Sequence, residues 1–278
     1  MAGLTARHLQ AIHALLRNRH NSAPLNATWQ RIHEVLEVGE PRGKLLHFDE
    51  PMLRILRQEA ERESGAANLL AGVPYGDRLQ AAGDGLRDEK IAPLRPDEGF
   101  VLVKGQLPTP LPELPPQTSL RVPLAYLTDA AIEQIVVIEN LDSFDCWEQY
   151  PVPAELANAL VLYRGHGGLA RGTRRLLGEL AGRVQVTFFG DFDPAGLVIA
   201  ATLPGASAVL VPVLSDGLLR SGHRQHFLLQ HRAARYLDSS ELGGWQGLWD
   251  EMKGHGLSIK QQHMLALQSE LRTVARLE

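Results

Sequence analysis

Four apolar runs, alternating with helical stretches, fill the second half of this sequence and limit the folds open to it. Each run is apolar at consecutive positions, so a strand formed there would be buried on both faces. The helical stretches between and after them lie at 145–150, 171–182 and 195–205. Buried strands that alternate with helices predict a parallel sheet covered on both sides. We therefore predict an α/β fold with a Rossmann-like, four-stranded parallel sheet, whose strands are QIVVIEN (134–140), ALVLYRG (159–165), VQVTFFGD (184–191) and SAVLVPV (207–213).

The first half of the chain has a different pattern. Residues 1–70 hold three segments with apolar residues at helical spacing, which predict a small, winged-helix-like bundle. GFVLVKG (99–105) predicts a strand, and six prolines within 107–123 exclude a helix or a central strand there. We predict a mainly helical N-terminal domain over 1–125, for DNA or partner binding, that ends in this proline-rich linker. A second domain over 126–278 carries the parallel sheet and a helical C-terminal extension.

The composition is that of an ordinary soluble protein. The 278 residues are 44 % hydrophobic and 22 % charged. No apolar run approaches the roughly 20 residues that span a bilayer, and the charged N-terminus predicts an amphipathic helix rather than a signal peptide. Cys146 is the only cysteine, which excludes an intrachain disulfide and predicts a cytoplasmic setting. The net charge of −4 argues against coating by nucleic acid but is compatible with a local basic groove.

Three carboxylates follow two of the predicted strands. Glu139 ends the first strand, and Asp191 and Asp193 end the third. Ligands of open parallel sheets bind beyond the carboxyl ends of the strands, so neighbouring strands would bring these acids to one edge. Clustered carboxylates repel each other and are costly to desolvate, so such a cluster usually needs a cation. Oxygen ligands select hard ions, which predicts Mg²⁺ or Mn²⁺ held by all three side chains.

Each acid alone has a simpler interpretation. Asp193 precedes Pro194, and Asp followed by Pro is a common start of a helix, so Asp193 is expected to cap the helix even if it binds nothing. Glu139 alone is compatible with an ordinary loop acid. The prediction therefore rests on the conjunction of a strand ending in Glu and, about fifty residues later, a strand ending in Asp-x-Asp-Pro-x-Gly.

The segments IVVIENLDSF and FFGDFDPAGL resemble a TOPRIM domain, the fold shared by primases, topoisomerases and several nucleases. The Glu-Asn pair and the Asp-x-Asp-Pro-x-Gly form are closest to the topoisomerase VI A/Spo11 branch. Within it, the chain looks most like the nuclease subunits of bacterial SMC-like plasmid-defence systems, the MksG and Wadjet JetD proteins. The resemblance covers roughly residues 130–215. It implies a general acid/base or metal-ligand role for Glu139 and metal-ligand roles for Asp191 and Asp193.

The same resemblance implies a nuclease that works with an SMC-like, MksBEF-type ATPase complex on double-stranded plasmid DNA. A homodimer is expected, because related nucleases cut two strands with paired sites. The topoisomerases of this branch cut with a tyrosine from the N-terminal domain. Tyr75 and Tyr126, the two tyrosines of this half, lie outside a helical, arginine-flanked setting, so we expect a metal-activated water as the nucleophile.

Two basic stretches without acids are candidates for DNA contact. YRGHGGLARGTRR (163–175) follows the second strand, and its glycines allow the backbone to approach a phosphate closely. The other stretch, at 220–236, follows the fourth strand. The alternative interpretation is a solvated helix face in a chain rich in arginine. The residues predicted to contact DNA are Arg164, His166, Arg171, Arg174, Arg175 and Arg224.

The leading hypothesis is thus a Mg²⁺- or Mn²⁺-dependent DNA endonuclease or nickase that hydrolyses phosphodiesters with water. A phosphatase of the haloacid dehalogenase type also has a strand ending in Asp-x-Asp, with a downstream lysine. Lys253 and Lys260, the only lysines after Asp193, fall in a predicted helical tail, which argues against it. A third hypothesis is a non-catalytic DNA-binding adaptor on a TOPRIM scaffold, which has no need of three convergent acids.

Overall fold

A computed structural model describes residues 4–64, 78–83 and 96–276 of the chain. Two units are distinguished by their internal contacts, Met1–Pro96 and Asp97–Glu278. Tyr75 lies outside the described residues. No helix within the described ranges combines the length and the apolarity that crossing a membrane requires.

The first unit consists of helices and a small antiparallel sheet. The three predicted helices are present, and their residues Ile12, Ile32 and Leu56 are fully buried in one core. The third helix begins after Asp49, whose side chain accepts a hydrogen bond from the Met52 N–H at 2.8 Å. The elements are α1 (Ala6–Arg17), β1 (Ser22–Pro24), α2 (Ala27–Leu36), β2 (Glu40–Arg42), β3 (Leu45–His47), α3 (Glu50–Ser64) and α4 (Arg78–Gly83).

The three short strands were not predicted from the sequence. They pair in the order β1-β3-β2, and both pairings are antiparallel. Helices packed with a small antiparallel sheet are what a winged-helix-like domain requires, and the assignment to that class stays a prediction.

The second unit is built on a seven-stranded mixed sheet. The strands are β4 (Phe100–Gly105), β5 (Leu120–Pro123), β6 (Gln134–Ile138), β7 (Leu160–Tyr163), β8 (Gln185–Phe189), β9 (Ala206–Pro212) and β10 (Leu271–Ala275). Their order is β10-β9-β8-β6-β7-β4-β5. The four strands β9, β8, β6 and β7 are mutually parallel, and the three others join antiparallel at the two sides.

The central strands are buried on both faces, as their sequences indicate. Every residue from Ile135 to Ile138 is completely buried, and every residue of β7 and β8 except Gln185 is buried. The α/β class is therefore confirmed. The helices of this unit are α5 (Ala125–Thr128), α6 (Leu141–Asp145), α7 (Gly167–Leu180), α8 (Pro194–Thr202), α9 (Asp216–Ser221), α10 (Arg224–Leu229), α11 (His231–Asp238), α12 (Gln246–His255) and α13 (Gln261–Ala266).

The sheet is larger than the four strands predicted, and this moves the boundary between the units. The border was predicted within 107–123, but the second unit begins at Asp97 because β4 pairs with both β7 and β5. The proline-rich stretch connects β4 to β5 inside this unit. Leu107 and Leu111 of the stretch pack against the core.

The prediction of a helical C-terminal extension is wrong for Leu271–Ala275, which form a strand. Helix α12 stops at Gly256, which has a left-handed φ of +60° that favours glycine. After α13 the chain forms β10, whose residues Thr273 and Val274 are β-branched and suit a strand. The tail thus completes the sheet by pairing with the outer edge of β9.

Candidate functional site

Two of the three predicted acids lie side by side at the carboxyl edge of the parallel strands. Strands β6 and β8 are adjacent and parallel, so their ends coincide. The Glu139 N–H donates to the Phe189 carbonyl at 2.9 Å, which continues the pairing to the strand tips. The Asp191 N–H in turn points at Glu139 Oε2, 3.4 Å away. Glu139 and Asp191 are therefore neighbours.

The Asp193 carboxylate has a structural role at the start of helix α8. Its Oδ1 accepts a hydrogen bond from the Gly196 N–H at 2.9 Å, the N-cap interaction, and Pro194 opens the helix. Its Oδ2 accepts from Ser258 Oγ at 2.7 Å and from Gln230 Nε2 at 2.9 Å. The side chain is 2 % exposed. Both carboxylate oxygens are thus occupied by protein donors, as the simpler interpretation of Asp193 expects.

Lys260 joins the two aspartates, a contact that the sequence did not predict. Its Nζ lies 2.7 Å from Asp191 Oδ2 and 3.5 Å from Asp193 Oδ2. The segment that carries it is held against the Asp-x-Asp loop by two backbone hydrogen bonds between Phe192 and Ile259, at 2.8 and 3.1 Å. Lys260 therefore lies at the sheet edge and not in a helical tail, since Gly256 ends the preceding helix.

Gln261 ties the two strand tips together. It is fully buried, and its backbone N–H donates to Asp191 Oδ1 at 3.0 Å. Its side-chain amide accepts from the Asn140 N–H at 3.3 Å and donates to the Phe189 carbonyl, also at 3.3 Å. One glutamine thus contacts the residue after Glu139 and the loop that carries Asp191. In the sequence, Gln261 belongs to SIKQQHM (258–264), which resembles a glutamine-containing helix of the JetD-like proteins, but nothing there indicated these contacts.

The electrostatics of the acids differ. Burial and the negative charge of Asp191 raise the pKa of Glu139, and Arg164 offsets this only in part. Burial would also raise the pKa of Asp193, but hydrogen bonds from its neighbours and the charge of Lys260 lower it overall. Burial opposes the charge of Lys260, yet its contacts with the two aspartates raise its pKa. Asp193 is thus stabilised as an anion, whereas no cation of the described residues forms an ion pair with Glu139.

Carboxylate oxygens are the ligands that Mg²⁺ and Mn²⁺ prefer. Within the described ranges, no three His, Cys, Asp or Glu side chains form a group that could hold a metal ion. The predicted trio is therefore not assembled around one point, because Asp193 is turned into the cap of α8. Glu139 and Asp191 fit a divalent ion by their chemistry: the Asp191 backbone N–H lies 3.4 Å from Glu139 Oε2, the charge of Asp191 acts on Glu139, and among the described residues no cation forms an ion pair with Glu139.

Of the predicted DNA-contacting residues, Arg164 is nearest to the acids. It follows β7, and its backbone N–H donates to the Ile138 carbonyl at 2.8 Å. Its Nε is buried and has no hydrogen-bond partner among the described residues, although its charge acts on Glu139. An arginine beside the acids with a free donor is suited to a phosphate.

The other predicted DNA-contacting residues are divided between free and occupied side chains. Arg171 pairs with Glu98, Arg175 pairs with Glu179, and His166 Nδ1 lies 3.1 Å from the Tyr163 hydroxyl. Arg174 and Arg224 are exposed and form no ion pair with any described residue. The sequence could not separate these groups, because the pairing acids come from distant parts of the chain or from the next helical turn.

A glycine-rich turn leads from β7 into helix α7. Gly165 has φ +84° and Gly167 has φ +54°, so both occupy the left-handed region. A Cβ on Gly165 would lie 2.6 Å from the Ala170 nitrogen, which explains why glycine is required there. Helix α7 therefore starts at the edge that carries Glu139, with no acid in its first turn. Free N–H groups at such a helix start favour an anion.

The second unit is thus an α/β domain with paired acids, a lysine and an arginine at the carboxyl edge of its parallel strands. The chain belongs to a family described as Domain of unknown function (DUF7281), which it matches over residues 97–273. The match begins where the second unit begins and ends within β10. A comparison with curated proteins found no match.

Proposed function

We propose that this chain is a Mg²⁺- or Mn²⁺-dependent DNA endonuclease or nickase of the TOPRIM type. The observation that carries the proposal is the pairing of Glu139 with Asp191 beside Arg164 and the start of α7. Paired carboxylates suit a divalent ion, and an arginine next to a helix N-terminus suits a phosphate. Both features share one edge of the sheet, so a phosphodiester bound there would lie next to the acids.

The residues of the site have separate roles in this proposal. Glu139 and Asp191 would hold the metal, and the chemistry it would supply is stabilisation of charge on the phosphate and activation of a water molecule. Asp193 fixes the loop by capping α8, and Gln261 keeps the two strand tips together. Lys260, which contacts Asp191 in the metal-free protein, would supply a positive charge at the edge beside the phosphate. Arg164 orients the phosphate.

The wider setting of the activity is proposed from the motif resemblance. The chain acts in the cytoplasm with an SMC-like ATPase complex of the MksBEF type, in defence against plasmids, and forms a homodimer. The sequence setting of Tyr75 and Tyr126 supports water as the nucleophile. The structure corrects one part of that expectation, because Tyr126 does lie on a helix, the short α5, where it is half exposed.

Plasmid nicking tests the proposal directly. Purified protein is incubated with supercoiled plasmid and Mn²⁺, alone and with its SMC-like partners. Asp191→Asn should lower the rate by roughly 10²-fold or more, since it removes an electrostatic group of the site. Asp250→Asn, on an exposed position of α12, is the matched control and should cut normally. Equal cutting by Asp191→Asn, or no cutting by wild type with its partners, contradicts the proposal.

A phosphatase is a second candidate because Lys260 contacts Asp191. The objection that no lysine reaches the Asp-x-Asp motif is removed by this contact. Asp191 would attack the phosphorus of a monoester and expel the alcohol, and water would then hydrolyse the acyl phosphate. Rapid turnover of p-nitrophenyl phosphate without plasmid nicking would favour this candidate. A protein that binds DNA, but neither binds Mn²⁺ nor turns over either substrate, would be the non-catalytic adaptor.

A further inference from the structure

A basic cavity lies in the first unit, between the end of α1 and the first half of α3. Its volume is about 430 Å³. Leu16 and Leu53 supply its apolar lining, and Glu50 is its single acid. The remaining lining residues are Arg19, His20, Arg54 and Arg57. Three arginines and one glutamate, all of them exposed, thus border a space large enough for a small organic ligand.

The three arginines of this cavity form no ion pair or side-chain hydrogen bond with any described residue. Other arginines of the same unit do pair: Arg31 lies 3.5 Å from Glu34, and Arg42 lies 2.7 Å from Glu40. The cavity therefore concentrates positive charge that the protein does not neutralise. Guanidinium groups held near each other repel, and an anion between them removes that repulsion.

Backbone hydrogen bonds fix the turn from which Arg19 and His20 extend. The Arg19 N–H donates to the Leu16 carbonyl at 3.1 Å, and the His20 N–H donates to the Leu15 carbonyl at 3.0 Å. Arg19 has φ +53°, a conformation that is uncommon outside glycine. On the opposite side, Arg54 and Arg57 are three residues apart on α3 and share one helix face. The two sides thus present donors toward a common space.

We infer that this cavity binds a phosphate ester through Arg19, Arg54 and Arg57. Arginine is suited to this ligand because its planar fork donates two parallel hydrogen bonds to phosphate oxygens. The apolar lining from Leu16 and Leu53 suits the carbon atoms attached to the phosphate. Phosphate esters come either from a nucleic-acid backbone or from free nucleotides. The residues of this site belong to the first unit and those of the acidic edge to the second, and the inference does not depend on the proposed nuclease activity.

The test uses the full chain in EDTA, so that binding is measured without metal-dependent cleavage. Fluorescence anisotropy with labelled duplex DNA is compared for wild type, the site variant Arg19→Gln/Arg54→Gln/Arg57→Gln and the control Arg31→Gln/Arg42→Gln. The site variant should bind at least about tenfold more weakly at 0.1 M salt, and the slope of log K against log salt should fall by about 2 to 3. The control should bind as wild type does.

Calorimetry with ATP and with inorganic phosphate distinguishes the two sources. ATP binding that the site variant loses and the control keeps identifies free nucleotide as the ligand, and DNA binding lost in the same way identifies nucleic acid. The single variant Arg57→Glu, at an exposed position, repeats the comparison if the triple variant melts early. The inference is overturned if site and control variants bind DNA and ATP equally well, or if wild type binds neither.

Discussion

Removing the charge of Lys260 should make the second unit depend on a divalent metal for its stability. The substitution Lys260→Met keeps the length of the side chain and removes the ammonium group. Without it, the Asp191 and Asp193 carboxylates face each other with no cation in contact. In the presence of EDTA the variant should therefore unfold more readily, and Mn²⁺ should substitute for the lost charge.

The contacts of Lys260 determine the size of the effect. Its Nζ is 2.7 Å from Asp191 and 3.5 Å from Asp193, and its side chain is 37 % exposed while that of Asp193 is 2 % exposed. Exposed ion pairs contribute about 0.2–1 kcal/mol, whereas removing one partner of a buried pair costs about 3–5 kcal/mol. This half-solvated contact lies between the two, so we expect a loss of about 2 kcal/mol. For a unit of this size that lowers Tm by about 4–8 °C.

Thermal unfolding in EDTA and in excess Mn²⁺ provides the assay, with Lys253→Met as the matched control. Lys253 forms exposed ion pairs with Asp238 and Asp250, away from the site, and its replacement should change Tm little. Mn²⁺ should raise the Tm of Lys260→Met more than that of wild type, because a ligand that binds only the folded state stabilises it. The reasoning is refuted if Lys260→Met melts with the control in EDTA, or if Mn²⁺ raises the Tm of wild type and Lys260→Met equally.

Three further substitutions test the other acids and the turn between them. The pKa of Glu139 is raised above 4.5 in the folded protein, so folding favours its protonated form. The ionisation of Glu139 therefore lowers the stability of the metal-free protein as the pH rises from 4.5 through the raised pKa. Glu139→Gln should therefore raise Tm in EDTA at neutral pH, with a gain that disappears near pH 4; a gain independent of pH argues against this. Asp193→Ala should lower the free energy of unfolding, measured in urea, by about 2–3 kcal/mol, because it removes a helix cap and leaves buried donors unpaired. Asp193→Asn keeps the cap and should lose less, so equal losses in the two variants would contradict the capping role. Gly190→Ala places a Cβ 2.7 Å from Glu139 Oε2 and should weaken Mn²⁺ binding in calorimetry, while Gly178→Ala, with no atom near its Cβ, should not.

Much of the second unit could be predicted because its strands are apolar at consecutive positions. Each of the four parallel strands begins within one residue of its predicted run. The strand in 207–213 ends one residue early, and the three others end two residues early. The edge strands β5 and β10 were harder to predict from the sequence. Strand β5 lies in a proline-rich segment, and β10 follows a helical segment with no break strong enough to mark a strand. Their pairing depends on the open edges of the sheet, which no local pattern reveals.

The site could be predicted only where it depends on strand order. Glu139 and Asp191 meet because β6 and β8 are adjacent, and residues at the ends of parallel strands share an edge. Lys260 and Gln261 reach the same edge from about seventy residues further along the chain, and short polar segments carry no periodicity. The helix break at Gly256 and the glutamines of SIKQQHM (258–264) were the signals that the sequence offered. Asp193 is directed by Ser258 and Gln230, which the sequence gave no means of placing beside it.

The central claim is that Glu139 and Asp191 share a divalent ion, and anomalous diffraction from a crystal soaked in MnCl₂ tests it most directly. The account predicts a manganese peak at bonding distance from both carboxylates, with Lys260 Nζ moved away from Asp191. A peak elsewhere, or no peak while Lys260 still contacts Asp191, would contradict it.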